Sequence, residues 1–179
     1  MKIILVFVSL LFLCLPSLAE KRSHMAHVHG QGMFTLAIEE HALEIEMDIP
    51  ADDIVGFEHT ATSKEQKRRV KSAEGMLRQA DTMIILPKNA RCKTTAVDVQ
   101  SSLSEDESDH HDEAVEETHT EFHVAYTFRC EVPRFLSWVT LNVFHTFSSL
   151  KELDGQAVTM DGQFSMELTP RTNTFTFSK

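Results

Sequence analysis

The sequence predicts a mainly β (α+β) fold: an antiparallel β-sandwich or partly open barrel with one prominent helix and a mobile acidic, histidine-containing loop. Three observations carry this. Apolar–polar alternation recurs, as in Leu43, Ile45, Met47 and Ile49 set against Glu44, Glu46 and Asp48, which is the period of a half-buried strand. One stretch alone has a prominent, capped helical stripe, and strands do not alternate with helices, which disfavours a doubly wound sheet. Between two of the strands lies a tract too polar to bury itself.

Met1 to Ala19 reads as a signal peptide. Lys2 supplies a positive start, Ile3 to Leu15 is almost unbroken hydrocarbon, and Ser17-Leu18-Ala19 is a small-x-small cleavage site. The apolar run is shorter than the roughly 20 residues of a membrane span. Residues 20–179 then form one domain. The formal net charge is -10, and it becomes -11 once Lys2 is removed. Phosphate neutralisation needs clustered Lys and Arg, so nucleic acid and anionic membranes are poor partners and cations are natural ligands.

The first strands are Met33 to Glu39, with Phe34, Leu36 and Ile38 on one face, and Leu43 to Ile49. They form a hairpin joined near Glu40-His41, and Pro50 ends it. Ser63 to Ala80 is the helix. Thr62 or Ser63 caps it, with Glu65 or Gln66 three residues on, and Val70, Ala73, Leu77 and Ala80 make its apolar stripe. Lys64, Lys67, Arg68, Arg69 and Lys71 crowd its first turns and read as a solvated face. A strand follows at Thr94 to Val99. Residues 101–118 form the acidic loop, and no Lys or Arg occurs from Thr94 through Phe128. Strands return at Glu121 to Cys130, with Phe122, Val124, Tyr126 and Phe128 facing one way, and at Trp138 to Phe147. Two or three short strands lie between Ala157 and Phe177, including Gln163 to Leu168 and Thr174 to Phe177.

Cys92 and Cys130 remain after cleavage. In an oxidising compartment one disulfide is the simplest expectation; paired thiolate metal ligands are the alternative, without a CxxC spacing to support them. The ten histidines and the many carboxylates are the nitrogen and oxygen ligands of divalent transition metals. His27 and His29 lie two apart, so in extended chain they share a side, and Gly30 and Gly32 let the backbone bend toward a ligand. His119 and His123 flank Glu121 on the face opposite Phe122. His59 follows Gly56-Phe57-Glu58 in a loop, where a ligand or an orienting hydrogen bond fits equally. His110-His111, set among Glu105, Asp106, Glu107, Asp109, Asp112 and Glu113, suits weak, adaptable metal binding. His41 reads as a hairpin residue. His145 shares parity with Leu141, Val143 and Phe147 and reads as a partly buried packing residue.

Together, HVHGQG at 27–32 with its hairpin, GFEH at 56–59, Cys92, the acidic histidine loop, His119 ahead of AYTFRC ending at Cys130, and DGQ at 161–163 resemble the ZrgA-type periplasmic zinc-uptake proteins of Gram-negative bacteria. The resemblance spans nearly the whole chain after residue 19. It implies a periplasmic Zn2+-binding protein that assists high-affinity import, with a zinc ABC transporter and its periplasmic solute-binding protein downstream. Members often carry a long His/Asp-rich tract in the central loop; here it is reduced to His110-His111 and the acids around them. His27, His29, His59 and His119 fit the pattern best.

The residues leave three other readings. A zinc-dependent hydrolase lacks an HExxH or other signature, so no enzyme activity is expected. A copper-handling protein lacks a methionine run, since Met33, Met47 and Met160 sit at strand-like positions. A structural β domain with incidental histidines would show no tight metal binding at neutral pH.

Overall fold

The computed structural model describes residues 29–103 and 120–177. The expected signal peptide lies outside the described residues, as does the expected acidic loop (101–118) from residue 104 on; at its start, Ser101 is still in a strand and Leu103 is fully buried. The expected mainly β fold takes a two-sheet form, with no closed barrel.

The large sheet has six strands: β1 (Gln31–Glu39), β2 (Ala42–Pro50), β4 (Cys92–Ser101), β5 (Glu121–Cys130), β7 (Glu152–Thr159) and β8 (Gly162–Leu168), in the order β4-β5-β2-β1-β7-β8. A small sheet joins β3 (Ile84–Ile85), β6 (Trp138–Leu141) and β9 (Thr174–Thr176) in the order β3-β6-β9. The helices are α1 (Ala51–Val55), α2 (Lys64–Leu77), α3 (Ala80–Met83) and α4 (Val143–Thr146). All large-sheet pairs are antiparallel except β1 with β7. Ahead of that seven-residue parallel ladder, the Gly30 carbonyl accepts from the backbone N–H groups of Lys151 at 2.9 Å and Glu152 at 2.8 Å, which fixes the start of β7 beside the start of β1.

Alternation decides which face is buried. Register puts Phe34 opposite Met47, Leu36 opposite Ile45, Ile45 opposite Tyr126 and Met47 opposite Val124, and all of these are buried. One continuous apolar face results, each fully buried large side chain contributing about 1.5–3 kcal/mol. Two layers cover it. Over β5, α2 presents Val70, Ala73 and Leu77, and the buried Tyr126 hydroxyl donates to the Leu77 carbonyl at 2.6 Å, satisfying an orphan acceptor of the helix end. Over β1 and β7 sits β9, whose Phe175 ring lies 5.7 Å from that of Phe34. The opposite face carries Glu44, Glu46, Asp48 and His123 and has no covering layer among the described residues.

The main helix follows its caps. Ser63 accepts from the Gln66 backbone N–H at 3.1 Å while the Gln66 side chain accepts from the Ser63 N–H at 3.0 Å, the reciprocal capping box. Cys92 and Cys130 stand opposite each other in register and form a disulfide, with Cα atoms 3.8 Å apart. The thiolate-ligand alternative is thereby excluded.

Two expectations need correction. The strand begun at Trp138 ends at Leu141, and Val143–Thr146 is a helical turn. Parity therefore fails at His145, which is exposed rather than packed. The alternation of Leu141, Val143 and Phe147 also fits the burial of a one-turn helix, and sequence period cannot separate the two over so few residues.

Candidate metal-binding site

The starts of β1 and β5 and the end of β2 meet at one end of the large sheet, away from the disulfide. Pro50 pairs with Glu121, and the Ala51 N–H donates to the Thr120 carbonyl at 2.9 Å. Directly after Pro50 the chain turns into α1, which Gly56 stops in the left-handed conformation (φ 82°), its N–H bonded to the Asp52 carbonyl. This short helix sets Asp52 and Asp53 beside the turn at His29 and Gly30.

The His29 imidazole Nδ1 lies 3.3 Å from an Asp52 oxygen and 3.7 Å from a Glu58 oxygen. Beneath them the buried Asp53 carboxylate accepts the Gly30 N–H at 2.8 Å. Burial pushes the Asp53 pKa above its ordinary value; the Gly30 hydrogen bond opposes this, the Asp52 charge raises it, His29 lowers it and Glu58 raises it. The His29 side chain is 66% exposed and Asp52 40%, so their ion pair contributes little to stability. Its chemistry is a better explanation. Two donors on a tetrahedral zinc at 2.0–2.1 Å are about 3.3–3.4 Å apart, the spacing of His29 and Asp52. Alternatively the carboxylates hold Nδ1–H and leave Nε2 as the ligand, the usual second-shell arrangement. Among the described residues, no group of three or more His, Cys, Asp or Glu side chains is placed to hold a metal ion, so His29, Asp52 and Glu58 make at most part of a site.

The other expected ligands are distributed as follows. His59, from the same turn as Glu58, points elsewhere: its ring stacks on Phe57, its Nδ1 donates to the Thr60 carbonyl at 3.0 Å, and its Nε2 lies 3.5 Å from Gln66 Nε2. His123 lies on the open sheet face with Nδ1 2.6 Å from Asp48, its register partner. His27, His110, His111 and His119 lie outside the described residues; Thr120, the chain neighbour of His119, is held against α1. His41 is the expected hairpin residue, its Nδ1 2.8 Å from the Cys130 carbonyl.

Asp52 and Asp53 were not legible in advance. The available signal was the Asp52-Asp53 pair after Pro50-Ala51, as at the first turn of a helix, but five residues are too few to show a helical period.

His123 makes a pH prediction. The hydrogen bond to Asp48 raises its pKa, burial opposes this, and the Asp48, Glu46 and Asp98 charges raise it further. A folded-state pKa above the unfolded one gives stability that is complete below the unfolded value, about 6.5, and lost as pH rises through the folded value. In metal-free buffer the melting temperature of the parent is therefore expected to exceed that of His123→Gln most at about pH 5.5–6. The gap should shrink toward pH 8.5; a gap constant across this range would show that the ion pair is not formed.

The model of the ZrgA family of zinc uptake proteins matches residues 26–177. No curated protein matches. The match covers most of the chain, including both sheets and the His29 turn, and the chain belongs to that family. Among the described residues no helix is long and apolar enough to cross a membrane.

Proposed function

We propose that this ZrgA-family chain captures Zn2+ in the periplasm and assists its high-affinity import, passing it to a zinc ABC transporter and its periplasmic solute-binding protein. The observation that carries the reading is the convergence of His29, Asp52 and Glu58 at the end of the sheet where β5 also begins. His27, in the same HxH pair, and His119, next to Thr120, are the residues proposed to complete the ligand set. His59 would bind metal only through Nε2, giving up its 3.5 Å contact with Gln66 Nε2, since Nδ1 is taken by Thr60. His123, and His110 with His111 in the acidic tract, are proposed as weaker, separate points of attachment.

Zinc is cargo here, so the site must both hold and release it. Neutral imidazoles bind near pH 7 and lose the metal on protonation, giving affinity that falls steeply below about pH 6.5. Exposure of the His29 and Asp52 side chains leaves a bound ion open to a competing ligand set on a partner. A net charge of -10 also raises the local concentration of cations around the chain.

The test is a chelator-competition zinc titration of variants. His29→Ala is expected to weaken binding by roughly 100-fold and Asp52→Asn or Glu58→Gln by roughly 10-fold, the range for lost ligands and their supporting carboxylates. His145→Ala, on the exposed α4 turn, should bind as the parent does. An unchanged titration in His29→Ala overturns the assignment.

A further inference from the structure

Helix α2 presents an unusual face for so acidic a chain. Lys64, Arg68 and Lys71 are exposed, and at spacings of four and three residues they form one stripe. Val70, Ala73 and Leu77 occupy the opposite side against the sheet. Arg69 is paired with Glu65 at 2.9 Å, but Lys64, Arg68 and Lys71 form no side-chain hydrogen bond or ion pair among the described residues. The stripe continues to Gly75, where an added Cβ would meet nothing within 4 Å, so no internal packing calls for glycine there.

The chain itself contains the complementary charge. Residues 105–117 hold Glu105, Asp106, Glu107, Asp109, Asp112, Glu113, Glu116 and Glu117 without a single Lys or Arg. Their point of departure is fixed beside α2: Leu103 is fully buried, and its carbonyl accepts the Ala61 N–H at 2.9 Å, two residues before the Ser63 cap. From the Ser63 cap to Lys71 the helix rises about 12 Å, a distance that about four extended residues cover. Tethering of this length gives an effective concentration in the millimolar range.

We propose that the Lys64–Arg68–Lys71 stripe of α2 is the docking surface for the chain's own acidic tract, residues 105–117. Cations and the stripe then compete for the same carboxylates. By reciprocity, metal loading of the tract loosens it from α2, and loss of the stripe strengthens metal binding by the tract. The inference stands apart from zinc capture at His29, because it is tested in chelator.

The experiment is limited cleavage by a glutamate-specific protease of the chain freed of residues 1–19, in chelator, at low and moderate salt, with a synthetic 104–118 peptide as reference. Cleavage within 105–117, relative to the peptide, is expected to rise about tenfold between 20 and 300 mM salt, as exposed charges become screened. Lys64→Gln with Arg68→Gln and Lys71→Gln should cleave at the fast rate at every salt concentration. Lys64→Arg with Lys71→Arg should behave as the parent, since the charge is kept. Equal rates and equal salt response in the parent and the triple Gln variant overturn the proposal and leave the stripe to an external acidic partner.

Discussion

Gly155→Ala is expected to destabilise the fold by about 3 kcal/mol, the upper end of the usual cost of overpacking. A Cβ at Gly155 would lie 2.7 Å from one Phe175 ring carbon, 2.8 Å from another and 2.8 Å from the Met166 carbonyl. None of these can yield cheaply. Phe175 is fully buried and packs against Phe34, and Met166 is register partner to Gly155 in the β7–β8 ladder. The glycine is therefore the point at which the small sheet approaches the large one. For a domain of this size the loss corresponds to a fall of roughly 6–12 °C in melting temperature. Trimming the ring in Gly155→Ala with Phe175→Leu should cost less than the sum of the single changes, because the second change removes the clash made by the first. Gly75→Ala is the contrasting case: with open space around it, the change should stabilise α2 by about 0.5–1 kcal/mol. Thermal or urea unfolding checks both, and a neutral Gly155→Ala would mean the two sheets do not meet as described.

Loss of the disulfide has the other large expected effect. Cys92 and Cys130 are 38 residues apart, and in the chain-entropy model closing such a loop is worth about 4 kcal/mol. The loop so closed contains the whole acidic tract. Cys92→Ser with Cys130→Ser is therefore expected to lower stability by roughly that amount. The His41 contact to the Cys130 carbonyl ties the β1–β2 turn to the same corner, so fraying should spread there first. The candidate site lies at the other end of the sheet and should keep its zinc affinity at temperatures where the variant remains folded. Equilibrium unfolding of oxidised and variant protein measures the first effect, and zinc titration measures the second. A variant as stable as the parent would contradict the entropic reading.

How much was legible in the sequence varied with the length of each element. The β1–β2 hairpin and β5 were readable to within a residue or two, because nine or ten residues of alternation with one buried face leave a single register. The α2 cap was readable because Ser63 and Gln66 stand at the spacing a capping box requires. The parallel β1–β7 pair was not, since nothing local marks a partnership between strands more than a hundred residues apart. His145 was misread because a one-turn helix imitates strand parity. In the candidate site, His29 was singled out by its HxH spacing, whereas Glu58 was read only as a chain neighbour of His59. Asp52 and Asp53 depend on a five-residue helix that only the packed structure reveals.

The measurement that bears most directly on the central claim is a chelator-competition zinc titration of the disulfide-intact chain, beside a variant lacking residues 105–117. If the main site is the cluster at the end of the sheet around His29, tight binding persists in the deletion and only weak additional uptake disappears. Loss of tight binding with the tract would contradict it and make the tract the functional element.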